Sequence, residues 1–267
     1  MNSKVRLLLS DVDGTLVPHD KILTERSLRA VQQLHDAGIM FALTSSRPAR
    51  GMKMFIAPLV LTTPLAAFNG GMIVDPQLNI LEERTIDDAV VPVIISVLEE
   101  NGVLAWVYRG QEWYVRDANG PHVHHEAEVC QFEPLVVDGF DAVSDGVTKI
   151  VGASDNTEAL ITARTTIQAE VGERVSATNS QSYYLDVTNP RANKGVVVDY
   201  LSRRLGVPVD AIATIGDAHN DVSMFERSGL SIAMGNAEDD VKAAAHQVTT
   251  SNEDEGFALA VERFVLS

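Results

Sequence analysis

The sequence predicts an α/β protein, a doubly wound parallel sheet interrupted by an inserted α+β domain. Three observations predict it. Near both ends of the chain, short apolar runs alternate with amphipathic helical stretches, the order that gives parallel strands with helical crossovers. Between them the pattern changes to paired strands around short polar turns, mixed with helices. The 267 residues are comfortable for two bodies.

Taken in order, residues 5–9 form an apolar run expected as a strand. Over 24–37, Thr24 can cap a helix, Leu28, Val31 and Leu34 form a stripe, and Gly38 ends it. Residues 39–43 read as a second buried strand, and Pro48 suits the first turn of a helix reaching 56. A third short strand of the same sheet, 65–68, ends in Asn69-Gly70-Gly71. The pattern then changes. Runs 72–74 and 80–86 flank Asp75-Pro76-Gln77, 87–100 reads as a helix, and 103–108 and 112–116 flank Arg109-Gly110-Gln111. Trp106, Tyr108, Trp113 and Tyr114 are expected to pack that hairpin's sheet. The polar stretch 117–128 reads as a loop; its His122-Val123-His124-His125-Glu126 run resembles a metal tract in composition, but its spacing fits no tight ligand set. A strand at 149–153, a helix at 156–171 and an antiparallel pair at 174–178 and 183–187 follow. The alternating order then returns: helix 193–205, strand 211–215, helix 221–228, strand 230–234, helix 239–245, strand 247–249 and a closing helix 255–264. The expected organisation is a Rossmann-like core of 1–84 and 189–267 with 85–188 inserted.

The formal net charge of −16 argues against nucleic acid and anionic membrane surfaces as partners, because both repel an acidic protein. An anionic small substrate would need local positive charge to overcome that field. Cys130 is the single cysteine, so no internal disulfide forms, which fits a reducing compartment. Residues 1–10 lack the length and cleavage pattern of a signal peptide, and the apolar stretch 89–98 is far too short to span a bilayer. The expectation is a soluble cytoplasmic protein with no membrane association and no obligate protein partner.

Four expected strand ends carry polar clusters, and a parallel sheet brings such ends to one edge, where open α/β sheets bind ligands. Asp11 and Asp13 follow the first strand two positions apart. Such acids repel unless a cation lies between them or one holds a proton, so they suggest a divalent metal, a carboxylate nucleophile, or both. Thr44-Ser45-Ser46-Arg47 follows the second strand, Asn69-Gly70-Gly71 the third, and Gly216-Asp217-Ala218-His219-Asn220-Asp221 the strand at 211–215. With Lys194 at a helix start, the set offers carboxylates, hydroxyls and a cation, which suits a magnesium ion plus a phosphate.

These residues resemble the haloacid dehalogenase superfamily of phosphohydrolases, and within it the Cof-type branch with a large α/β cap. Asp11-Val12-Asp13-Gly14-Thr15-Leu16 is similar to the family's first motif, Asn193-Lys194-Gly195 to its third, and Gly216 through Asp221 to its fourth. The resemblance implies that Asp11 attacks phosphorus and that Asp13 protonates the leaving alcohol and then activates water. It implies that Asp11, the backbone carbonyl of Asp13 and Asp217 hold magnesium, with Asp221 and Asn220 supporting the metal or the phosphate. Ser45 would bind phosphoryl oxygens and Lys194 would neutralise the nucleophile and the transferring group. The second motif commonly reads Thr-Gly-Arg, whereas here it is Ser45-Ser46-Arg47; serine keeps the hydroxyl. Arg47 can serve as a substrate contact or a structural ion pair, and Asn69 and Gly70 as a substrate contact or only a turn. His219 can touch the leaving group or face solvent. The expected activity is magnesium-dependent hydrolysis of small phosphorylated metabolites, sugar phosphates above all, through an aspartyl-phosphate. A phosphomutase or phosphotransferase, or a metabolite-binding regulator without turnover, are the alternatives.

Overall fold

A computed structural model describes residues 5–267. Residues 1–4, part of the segment read above for a signal peptide, lie outside the described residues. The chain divides into two compact units: Met1–Ser46, Lys53–Leu81 and Asn193–Ser267 form one, Arg47–Met52 and Glu82–Ala192 the other.

The first unit is built on five parallel strands in the order Gln247–Val248, Leu230–Ala233, Ile212–Gly216, Leu7–Ser10 and Met40–Leu43. Leu7–Ser10 is buried throughout and pairs on both sides, Ser10 with Ile215 and with Leu43. That is the environment of a central strand of a parallel sheet, and it explains the uninterrupted apolar run. Leu7, Leu9, Ala42 and Ile212 pack with Val197, Val198 and Leu201 of helix Lys194–Leu205 and with Met224 and Phe225. Each fully buried leucine of this kind contributes roughly 1.5–3 kcal/mol. Helix Glu25–Asp36 starts where Thr24 accepts from Ser27 N, and buries Ala30, Val31 and Leu34.

One strand differs from expectation. Leu65–Ala67 meets the parallel sheet through a parallel bridge between Ala66 and Thr44 rather than through a strand ladder. It pairs antiparallel with Met72–Val74, in a three-stranded sheet completed by Ile80–Glu83. Phe68, Asn69 and Gly70 take φ of 51°, 55° and 90°, which reverses the chain at once and makes the next strand the nearest partner.

The second unit has a six-stranded sheet in the order Ser176–Gln181, Tyr184–Thr188, Val147–Ala153, Leu104–Arg109, Glu112–Val115 and Leu135–Val136. Helices Val91–Glu100 and Thr157–Val171 cover one face, where Leu98, Leu160 and Ile167 meet Val107, Ile150 and Leu185. Period-two alternation puts Trp106, Tyr108, Trp113, Lys149, Tyr184 and Asp186 on the other face. Trp106, Tyr108 and Trp113 are buried, as expected, whereas Tyr114 turns to the helix-covered side.

Helix Val123–Cys130 replaces part of the expected polar loop. Val123, Ala127 and Cys130 recur at helical spacing and are buried, a stripe hidden among histidines and glutamates. Arg47–Met52 clusters with this unit for local reasons. Arg47 Nη1 donates to Val129 O at 3.0 Å, Arg50 Nη1 reaches Glu112 Oε2 at 2.8 Å and lies over the Phe132 ring, and Gly51 leaves room for Cys130. No helix among the described residues is long and apolar enough to cross a membrane.

Candidate active site

Asp11 and Asp217 stand directly after Ser10 and Gly216, the last residues of two neighbouring parallel strands, and Asp11 N donates to Ile215 O. Strand pairing alone therefore brings them together. Asp221 arrives differently. The helix His219–Phe225 begins two residues earlier than its apolar pattern suggests, which makes Asp221 the third helical residue. Its Oδ2 reaches back to accept from Asp217 N and Ala218 N, both at 2.9 Å, satisfying donors that a helix start leaves unpaired. Gly216 is required here, since a Cβ would lie 2.3 Å from Asp221 Cγ. Asp11, Asp217 and Asp221 each offer a carboxylate oxygen, all within 4.8 Å of one another.

Lys194 enters from the start of its helix, after Asn193 caps the turn by accepting from Val196 N. A lysine in a first turn is disfavoured by the helix dipole. Here Lys194 Nζ lies 2.6 Å from Asp11 Oδ1 and 2.6 Å from Asp221 Oδ1, with its side chain 1% exposed. Burial alone would lower its pKa, but the charges of Asp11 and Asp221 outweigh burial and raise it, so it stays cationic. Burial pushes Asp11 well above the ordinary carboxylate range, with Lys194 opposing and the neighbouring carboxylates adding to it. Burial, then the charge of Asp221, raises Asp217 to about 6.

Two residues that sequence reasoning missed as functional hold Asp217 in place. Thr15 Oγ1 donates to its Oδ1 at 2.9 Å, and Asn236 Nδ2 donates to its Oδ2 at 3.2 Å and to Gly14 O at 3.0 Å. Asn236 follows strand Leu230–Ala233, so the strand-end rule used for the other clusters would have found it. Gly14 adopts φ +80°, and a Cβ there would strike Asp217 Oδ2 at 2.3 Å.

Asp13 directs its carboxylate elsewhere, to Lys21 Nζ at 3.0 Å, with 29% of the side chain exposed. Ser45 is buried beside this edge; its backbone carbonyl accepts from Asn69 N at 2.8 Å and its N–H donates to Ala66 O. Asn69 Oδ1 in turn accepts from Asn220 Nδ2 at 3.1 Å. A Cβ on Gly70 would approach Asn193 O to 2.7 Å, so that glycine lets the third cluster pack against the Lys194 loop. Ser46 precedes the boundary, and the Arg47 guanidinium is occupied by Val129 O and, at 3.4 Å, by Gly51 O. His219 is exposed and pairs with Asp240 Oδ2 at 2.8 Å, a bond that raises its pKa. The histidine tract contributes to neither potential metal-holding group among the described residues.

A family model described as haloacid dehalogenase-like hydrolase matches residues 8–261. The chain belongs to that family. A 5-amino-6-(5-phospho-D-ribitylamino)uracil phosphatase of Bacillus subtilis is 27% identical over 271 residues, spanning 99% of each chain. A haloacid dehalogenase-like hydrolase structure from Bacteroides thetaiotaomicron superposes with a TM-score of 0.90 at 26% identity, covering 97% of this chain and 99% of that one. A subclass IIB sugar phosphatase structure shares the fold at a TM-score of 0.85 and 20% identity, over 97% of this chain and 99% of the other. The chain is thus an enzyme of this hydrolase family.

Proposed function

We propose that this enzyme is a magnesium-dependent phosphatase of small phosphorylated metabolites, chiefly sugar or sugar-alcohol phosphates. The observation that carries this reading is the meeting of Asp11, Asp217 and Asp221 around Lys194 at one sheet edge. Three carboxylates against one ammonium leave two uncompensated negative charges in a largely buried place. A divalent cation balances them, and the donors are hard oxygens of the kind magnesium prefers. Asp11 and Asp217 would hold it, together with the Asp13 carbonyl that the family resemblance implies. Asp221, engaged by Lys194 and two amides, serves chiefly to orient. When bound, magnesium would supply the positive charge that lets a phosphate dianion approach an anionic nucleophile.

In this reading an Asp11 carboxylate oxygen forms a bond to phosphorus while the ester P–O bond breaks. The leaving alkoxide takes a proton from Asp13, whose carboxyl stands apart from the three-carboxylate group. Asp13 then takes a proton from water as the water oxygen attacks phosphorus, and the bond to Asp11 breaks to release phosphate. Two easier steps replace one hard one, and general acid–base help of this kind contributes on the order of 10²–10⁴-fold. Lys194 holds Asp11 in place and offsets charge on the transferring group, the positioning and electrostatic work on which phosphoryl transfer depends.

The substrate class is supported by the Bacillus subtilis relative, a phosphatase named for a substrate with a phosphorylated ribityl chain. Asp11→Asn should abolish hydrolysis of p-nitrophenyl phosphate and of sugar phosphates, and chelator should silence the wild type until magnesium is restored. Wild-type turnover by Asp11→Asn would sink the reading. Transfer to added alcohols in preference to water would mark a phosphotransferase.

A further inference from the structure

Lys21 has a backbone conformation that an ordinary surface lysine does not need. Its φ is 63°, in the left-handed region, which few non-glycine residues enter. The turn that carries it is fixed from several sides. Lys21 N donates to Pro18 O at 3.0 Å, and Ile22 N donates to Asp20 Oδ1 at 3.0 Å. Residues 252–255 hold the flanks of that turn. Asn252 Nδ2 donates to Val17 O at 3.3 Å, His19 N donates to Glu253 Oε1 at 2.7 Å, and Thr24 Oγ1 donates to Glu255 Oε2 at 2.8 Å. Left-handed, non-glycine residues carry strain, persist where their surroundings over-determine them, and gather at functional sites.

The strained turn delivers an ammonium to one carboxylate. Lys21 Nζ lies 3.0 Å from Asp13 Oδ1, on the residue two positions after Asp11. Both side chains are partly exposed, and ion pairs in that setting contribute little to stability. Stabilising the fold therefore does not account for the left-handed lysine, whereas placing Asp13 does. In the phosphatase reading Asp13 gives a proton to the departing oxygen as the ester P–O bond breaks and Asp11 bonds to phosphorus. It then takes a proton from the attacking water. One carboxyl must meet two different oxygens in turn, and this calls for a fixed place rather than free rotation. An ammonium on Oδ1 restricts that rotation.

We propose that Lys21 is a positioning residue, which holds the Asp13 carboxyl where it transfers protons. This role rests on the phosphatase reading. The experiment compares phenyl phosphate with p-nitrophenyl phosphate. The two share a ring, but nitrophenolate departs readily without a proton, whereas phenolate depends more on a general acid. The readout is the ratio of the two kcat/KM values, phenyl over p-nitrophenyl. General acid help is on the order of 10²–10⁴-fold, so a misplaced donor in Lys21→Met should lower that ratio about tenfold. Lys21→Gly removes the ammonium with a residue that takes φ 63° without strain, so it guards against a folding failure and should lower the ratio as far. A merely structural role would lower both kcat/KM values together and leave the ratio alone. An unchanged ratio in Lys21→Met and Lys21→Gly, with the ratio lowered in Asp13→Asn, overturns the proposal and leaves the phosphatase reading standing. If Asp13→Asn also leaves the ratio unchanged, Asp13 is not the acid, and the role of Lys21 falls with it. If the wild type hydrolyses neither ester, the phosphatase reading itself fails and takes this role with it.

Discussion

Thr15 Oγ1 donates to Asp217 Oδ1 at 2.9 Å, across 202 residues of sequence. The bond ties the turn after the first strand to the carboxylate after its neighbour. With Asn236 on the other oxygen, it sets the direction in which Asp217 presents a lone pair. Partners of this kind typically matter 10–100-fold in metal affinity. Thr15→Val should therefore raise the magnesium concentration for half-maximal activity by ~10-fold while leaving saturated kcat much less affected. A magnesium titration of activity checks it; an unchanged midpoint would show that Asp217 is oriented by other means.

Lys194 is the cation on which two buried carboxylates depend. Replacing it by Met leaves Asp11 and Asp221 buried without it, and breaking a buried pair on one side costs about 3–5 kcal/mol. Lys194→Met should lower the thermal midpoint and reduce kcat by orders of magnitude. Lys194→Arg should not restore activity, because a planar guanidinium cannot occupy the space of a compact ammonium between two oxygens 2.6 Å away. Melting curves and single-turnover kinetics separate the two effects.

Asp217 links stability to pH. Its folded value of about 6 lies above the ordinary 3.8, because burial and Asp221 disfavour its charge. The metal-free native state therefore binds this proton more tightly than the unfolded chain does. Its contribution is fully present below about pH 4 and is lost as pH rises through 6. The difference is on the order of 2–3 kcal/mol. Asp11, also raised, acts in the same direction. In chelator, the melting temperature of the wild type should fall between pH 4 and 7 relative to Asp217→Asn. Magnesium should cancel that fall, since a cation favours the ionised carboxylate. Parallel pH profiles for the two proteins in chelator would refute the assignment.

The candidate cluster is legible in the sequence because strand ends of a parallel sheet converge. Asp11 and Asp217 follow apolar runs that pair directly, and Lys194 sits at a helix start where a cation needs an anion nearby. What escaped depends on partners remote in sequence. Nothing local distinguishes Thr15 as a donor to Asp217, and although Asn236 follows a strand end, its bond to Gly14 O spans 222 residues of sequence. The three apolar residues of Leu65–Ala67 suit either sheet: one parallel bridge joins them to Thr44, and the positive-φ residues Phe68, Asn69 and Gly70 make Met72–Val74 their ladder partner. Tyr184 and Asp186 illustrate a further limit. Alternation assigns them a face, but which of their hydrogen bonds go unmade appears only when the neighbours are in place.

Thr44 offers a test of the core beside the site. It is fully buried, its N–H donates to Ser10 O, and its hydroxyl has no hydrogen-bond partner among the described residues. A buried hydroxyl without a partner forfeits its hydration, at a cost of about 1–3 kcal/mol. Valine fills nearly the same volume, suits the extended backbone at a strand end, and carries no polar atom. Thr44→Val should therefore stabilise the protein by ~1 kcal/mol, raising the thermal midpoint by about 1–3 °C for a chain of this size. Differential scanning calorimetry with chelator and with magnesium measures it. A drop of that size instead would mean the hydroxyl is bonded in solution, with a buried water the simplest partner.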